Sequence, residues 1–170
     1  MGSNIAEQGP LAPHSMPAIA AAAIADAASI LALQSRAYES EARLYDDWTI
    51  PPLVQSLESL LEEIQSATVL KATEAQVIVG SVRATLNDKT CQIGRLIVEP
   101  MLHGQGIGSL LLQAIEGAFS QAEFFELFTG SKSEGNIRLY RRHGYRITGT
   151  KRLSDQVTFV VMSKRGNTGA

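Results

Sequence analysis

The stretch "LIVEPMLHGQGIGSLLL", Leu96 to Leu112, leaves this chain few folds to choose from. An apolar, β-branched run ends at Pro100, glycines alternate at 104, 106 and 108, and a helical pattern begins at once. Glycine weakens a regular element by about 0.5–1 kcal/mol, so three of them at the mouth of a helix mark a backbone that must turn left-handed or stand bare. The helix places Ile107, Leu110, Leu111, Ala114, Ile115 and Ala118 on one face. It leads to "EFFELFTG", which reads as a buried strand ended by Gly130. Strand, helix and strand in this order predict a parallel pair joined by a crossover helix.

The surroundings of this unit are antiparallel in character. Three β-branched segments, "ATVLKATE", "QVIVGSVRATL" and "TCQIGRLIVEP", follow one another across the short turns "EA" and "NDK". After the parallel unit come a short helix, "NIRLYRRHG", with Gly144 as its stop, and a closing hairpin, "YRITGTKRL" with "QVTFVVMSK". Ahead of everything lie a short strand near Ala18 to Ile24 and a helix capped by Asp26 with Ile30, Leu33 and Ala37 at helical spacing. A second helix opens at Pro51 and Pro52 and carries Leu53, Leu57, Leu60 and Ile64 on one face. The fold class is therefore mixed α/β (α+β): one domain over residues 16–165, after a disordered leader at 1–15 and before a tail at 166–170.

Composition removes several functions. Lys and Arg number 15 against 17 for Asp and Glu, a net charge of −2, which gives no electrostatic reason to expect nucleic acid or an anionic membrane. Cys91 is the single cysteine, so no intramolecular disulfide and no cysteine metal cluster can form. His14, His103 and His143 have no metal-ligand spacing, and no metal is expected. The alanine-rich run "MPAIAAAAIADAASILAL" lacks a basic flank and is interrupted by Asp26, so it is not read as a targeting segment. The expectation is a soluble, cytoplasmic protein.

A helix N-terminus offers unpaired N–H groups and a partial positive charge, and glycines let an anion approach them. A pyrophosphate matches His103, Gly104, Gln105, Gly106, Ile107, Gly108 and Ser109 best. No Lys follows the glycines, which excludes a Walker loop, and Ser109 stands where a dinucleotide fingerprint needs glycine. On the six loop residues alone, a glycine-rich turn without a ligand is an equal reading.

Taken with "NIRLYRRHGY" about thirty residues on, the loop resembles the GNAT superfamily of acyl-CoA-dependent N-acetyltransferases, over roughly Ala18 to Lys164. His103 departs from that family's usual Gln or Arg. The resemblance implies that the strand Leu96 to Val98 splays from its parallel neighbour, Phe125 to Thr129. The pantetheine of acetyl-CoA would then bond to the backbone of Ile97 and Val98. It also implies that a backbone N–H at a bulge, Leu96 or Ile97, polarises the thioester oxygen, and that Tyr140 protonates the departing thiolate. The alternative for Tyr140 is an aromatic packing the short helix on the sheet. Helical spacing makes Ile137 or Leu139 the better core residue and leaves Tyr140 freer for the cleft. The family's pantetheine-contacting residue falls on Ser133 or Asn136, with helix capping as Asn136's other reading. His103 is either a phosphate contact or an exposed loop residue.

The resemblance implies direct transfer of an acetyl group to a primary amine, small molecule or peptide, in a ternary complex. No residue suggests an acyl-enzyme, because Cys91 stands apart from both motifs. No motif identifies the base. Glu99 reads as solvated, and Tyr45, Asp46, Asp47 and Trp48 are either an acceptor wall or a polar surface loop. Two rival readings are a non-catalytic acyl-CoA-binding module and an ATP- or NAD-binding protein of another type. The closing hairpin is a candidate surface for a homodimer.

Overall fold

The computed structural model of the chain describes residues 16–168; the expected leader and the last two residues of the tail lie outside them. The chain opens with β1 (Ala18–Ala21), a 3-10 turn at Ile24–Asp26, and α1 (Ala27–Tyr45). Next come α2 (Pro51–Val54), α3 (Leu57–Ser66), β2 (Thr68–Glu74), β3 (Val77–Asn87) and β4 (Thr90–Val98). A 3-10 turn at Pro100–Leu102 leads into α4 (Ile107–Ala118), then β5 (Phe124–Gly130), α5 (Glu134–Arg142), β6 (Arg146–Arg152) and β7 (Thr158–Arg165). The strands form one sheet in the order β1-β2-β3-β4-β5-β7-β6. Every neighbouring pair is antiparallel except β4 with β5. No helix among the described residues is long and apolar enough to cross a membrane.

The alternation along β3 divides the two faces. Val82 and Ala84 pack with Leu111, Leu112 and Ile115 of α4, while Arg83 turns to Gln34 of α1 and Glu63 of α3. Ile107, Leu111 and Ile115 of α4 are buried as expected, while Leu112 is also fully buried and Ala118 is exposed, so the stripe is broader toward Leu112 and ends before Ala118. The β5 strand is buried on one side only: Phe125 and Leu127 enter the core, whereas Phe128 is 59% exposed.

Two expectations about the N-terminal helices fail for a common reason, competition from a tertiary partner. Asp26 does not cap α1 through its side chain. Its carboxylate instead accepts from Ala23 N–H and from Lys71 Nζ, each at 2.7 Å. The helix expected from Pro51 onward is two helices. Gln55 leaves helical geometry at ψ 131° to bond Gln34 (2.9 Å), Arg83 (3.1 Å) and Glu63 (2.6 Å). Ser56 then starts α3 by accepting from Ser59 N–H.

The feature that makes a site is the parallel pair. Thr90, Cys91 and Gln92 register with Phe124, Phe125 and Glu126, and there the pairing stops. Both strands run on, to Val98 and to Gly130, leaving a wedge between them.

Candidate active site

One end of the wedge is the glycine loop. Gly104 and Gly106 have φ of +80° and +85°, and a Cβ at either would meet nothing within 4 Å. Their glycines are therefore required by the left-handed turn, and the space before them is open. Gly106 is the N-cap of α4 and no side chain caps that helix. The first-turn N–H groups of Ile107, Gly108 and Ser109 are thus left for an outside acceptor, at the positive end of the helix dipole. Gly108 does something else: a Cβ there would lie 3.3 Å from Leu139 and 3.8 Å from Val98, so it lets α4 approach α5 and β4. The Ser109 hydroxyl is held by His143 Nε2 at 2.9 Å. His103 and Gln105 are exposed beside the loop.

The wall of the wedge on the β4 side contains a bulge. Ile97 registers with Ser81 and Gly94 with Arg83, so β4 carries one more residue than β3 between those pairs. Arg95 takes up the difference at φ +51°, and Leu96 has no register partner. The splay and the bulge thus lie where the resemblance implied them. Ile97 is buried and Val98 half-buried.

The second motif is arranged differently from the reading of its helical spacing. Tyr140 is the buried residue of α5, at 6% exposure, while Ile137 and Leu139 are only partly buried. The expected order is reversed because Tyr140 packs edge-on against Tyr145, centroids 6.0 Å apart. Burial raises its phenol pKa, with Tyr38 and Glu41 adding to the effect. Ser133 is the N-cap of α5 and is buried; its hydroxyl donates to Glu41 at 2.6 Å. Asn136 is not the cap. It stands exposed within the first turn, its amide donating to Thr129 at 3.3 Å.

Three residues at this site carried no signal in the sequence: Tyr38 and Glu41 of α1, and Arg95. Burial raises the Tyr38 phenol pKa and the adjacent Arg95 guanidinium draws it back down, with Arg83 and Glu41 also acting on it. Helical spacing of three puts Tyr38 and Glu41 on one face of α1, which meets Arg95 of β4 and Ser133 of α5. Only the fold brings them to Ser133, 92 residues from Glu41.

The residues read as either an acceptor wall or a polar surface loop have different surroundings. Tyr45 is buried, and its hydroxyl accepts from Lys132 N–H at 2.8 Å, so it braces α1 against the β5–α5 turn. Gly130 makes room for it, since a Cβ there would fall on the Tyr45 hydroxyl. Asp47 is engaged by the Thr49 N–H (2.8 Å) and hydroxyl (2.7 Å). Trp48 is exposed beneath Arg43. Glu99 is paired to Arg36 at 2.7 Å, where solvation was expected. Cys91 is fully buried, and burial, with Glu116 adding, pushes its thiol up to about 12.

An uncapped helix end thus opens beside a gap between two strands. The family model described as an acetyltransferase (GNAT) domain matches residues 39–165. No curated protein matches the sequence. Among solved structures, the ribosomal-protein-S18-alanine N-acetyltransferase of Escherichia coli aligns with a TM-score of 0.75 at 14% identity, covering 91% of this chain and 97% of its own. The PaiA N-acetyltransferase of Thermoplasma acidophilum, in complex with coenzyme A, gives 0.72 at 17%, covering 89% and 99%. A phosphinothricin acetyltransferase of Sinorhizobium meliloti, in complex with acetyl-CoA, gives 0.72 at 16%, covering 90% of each chain. At these identities the likeness is one of fold.

Proposed function

The chain belongs to the GNAT acetyltransferase family, and from that premise we propose that it transfers an acetyl group from acetyl-CoA directly to a primary amine, with both substrates in the wedge at once. The observation that carries this reading is the parting of β4 from β5 beyond Gln92 and Glu126, with an uncapped helix end beside it and Tyr140 across it. The N–H groups of Ile107, Gly108 and Ser109 hold the pyrophosphate, with His103, Gly104, Gln105 and Gly106 around it. The backbone of Ile97 and Val98 holds the pantetheine arm, and Ser133 and Asn136 border it from α5.

Transfer forms a C–N bond and breaks a C–S bond: the neutral amine attacks, and negative charge develops first on the carbonyl oxygen and then on sulfur. Coenzyme A leaves as its thiolate, and the surplus proton of the amine passes to solvent. Leu96 N–H, free of register on β3, is the better donor to the oxygen, with Ile97 next to it. Tyr140 donates to the sulfur. Its raised pKa makes complete proton transfer to a thiolate, whose own value is about 8.5, uphill by more than about 2 kcal/mol. Tyr140 therefore acts mainly as a hydrogen-bond donor that steadies the leaving group. Cys91, buried and protonated, has no part.

The test follows thiol release from acetyl-CoA in the presence of amines. Tyr140→Phe should lower kcat on the order of 100-fold while the Kd of acetyl-CoA stays unchanged. Equal turnover by the variant removes Tyr140 from the mechanism. Retained acetyl-CoA binding with no turnover of any amine in the wild type would favour the non-catalytic module.

A further inference from the structure

Two half-buried charges near the parting of β4 and β5 have no ion-pair partner among the described residues. Arg95 stands at the β4 bulge, past the last residue at which β4 meets β5, next to Tyr38. Its Nε is buried and without a hydrogen-bond partner, and it forms no salt bridge among the described residues. The neighbouring Arg83 is a contrast, answered by Glu63 at 2.8 Å and by Gln34 and Gln55. Glu41 is the opposite case. It accepts from Ser133 at 2.6 Å but pairs with no cation among the described residues.

Desolvated charges are costly unless answered, and Arg95 and Glu41 flank the same tyrosine without closing on each other. A ligand carrying both charges satisfies both. Resting on the acetyltransfer reading and deepening it, we infer that the acceptor is an amine that also bears a carboxylate, its ammonium at Glu41 and its carboxylate at Arg95. The guanidinium fork matches a carboxylate in two parallel hydrogen bonds. The polarity also fits the chemistry. Glu41 is tied to Ser133 at the start of the helix that carries Tyr140, so the amine lies toward the leaving sulfur, and the carboxylate lies along β4. A peptide N-terminus, whose neighbouring group is an amide, leaves Arg95 unanswered.

The experiment compares free amino acids, α and ω, with their carboxamides, the matching decarboxylated amines and a short blocked-carboxylate peptide. Acetyl-CoA affinity is measured separately by calorimetry. The free acids should exceed their amides in kcat/KM by about 30-fold or more. Arg95→Gln should abolish that preference through KM, with acetyl-CoA affinity unchanged, and Arg95→Lys should restore part of it. Amides as good as acids overturn the inference while acetyl transfer stands. Loss of acetyl-CoA binding in the wild type overturns both. If acetyl-CoA binds and no amine turns over, melting of the coenzyme A complex with each compound decides. Stabilisation by the free acids alone upholds the site, and no selective stabilisation overturns it.

Discussion

Burial holds the Tyr140 phenol above its ordinary 10.0, Tyr38 and Glu41 reinforcing the shift, so the hydroxyl keeps its proton across the working range. The kcat–pH profile should therefore show no limb belonging to Tyr140 below about pH 10. A limb there that vanishes in Tyr140→Phe would contradict this placement. His143 makes a different prediction. Burial holds its imidazole below the ordinary 6.5, Glu116 partly offsetting the shift. The unfolded chain then takes up the proton first, so this contribution to stability is present above about pH 6.5 and is lost as pH falls through the folded value. The melting temperature should drop between about pH 7.5 and 5, and less steeply in His143→Gln; parallel slopes would remove His143 as a cause. At this scale the sequence showed the residues that local geometry selects. Gly106 was legible because a turn surrounds it, and a motif marked Tyr140, but the burial of Tyr140 against Tyr145 did not follow from helical spacing. Tyr38, Glu41 and Arg95 were not legible, since each belongs to an unremarkable helix or strand until the sheet brings α1 over β4.

Elements were legible where their pattern is autonomous. The β2–β3–β4 meander, α4 and the closing hairpin all follow from periodicity and turn residues. The break between α2 and α3 did not, because the leucines at 53, 57, 60 and 64 keep helical spacing across it. Gln55 is drawn out by partners on α1 and β3 that no local pattern contains. The junction of α1 with the β5–α5 turn is similarly tertiary, made by the Tyr45 hydroxyl and Lys132 N–H. A methyl group at position 130 would displace the Tyr45 hydroxyl from Lys132 N–H. Gly130→Ala should cost about 1–3 kcal/mol in urea unfolding and should also lower turnover. An unchanged midpoint would mean that Tyr45 is not a brace.

Across the whole molecule, α4 is locked to the sheet's far side by Glu116, which accepts from the Tyr145 hydroxyl and from Lys164 Nζ, each at 2.8 Å. Lys164 also donates to His143 C=O at 2.9 Å. These contacts fix α4 relative to β6 and β7. Glu116→Ala strands a largely buried ammonium and phenol, at a cost of about 2–3 kcal/mol, or roughly 5–10 °C in melting. A melting temperature within about 1 °C of wild type would show that the lock is dispensable. The global arrangement was the most readable property of the sequence, since a strand–helix–strand unit inside an antiparallel chain admits few topologies.

The central claim, that the wedge between β4 and β5 binds acetyl-CoA, is tested most directly by melting the protein with acetyl-CoA, coenzyme A, NAD and ATP over a range of concentrations. At 100 times the Kd a ligand adds about 2.7 kcal/mol, a rise of several degrees. Both coenzyme A forms should produce that rise, and NAD and ATP should not. No shift with either coenzyme A form, or a larger one with ATP or NAD, would contradict the account.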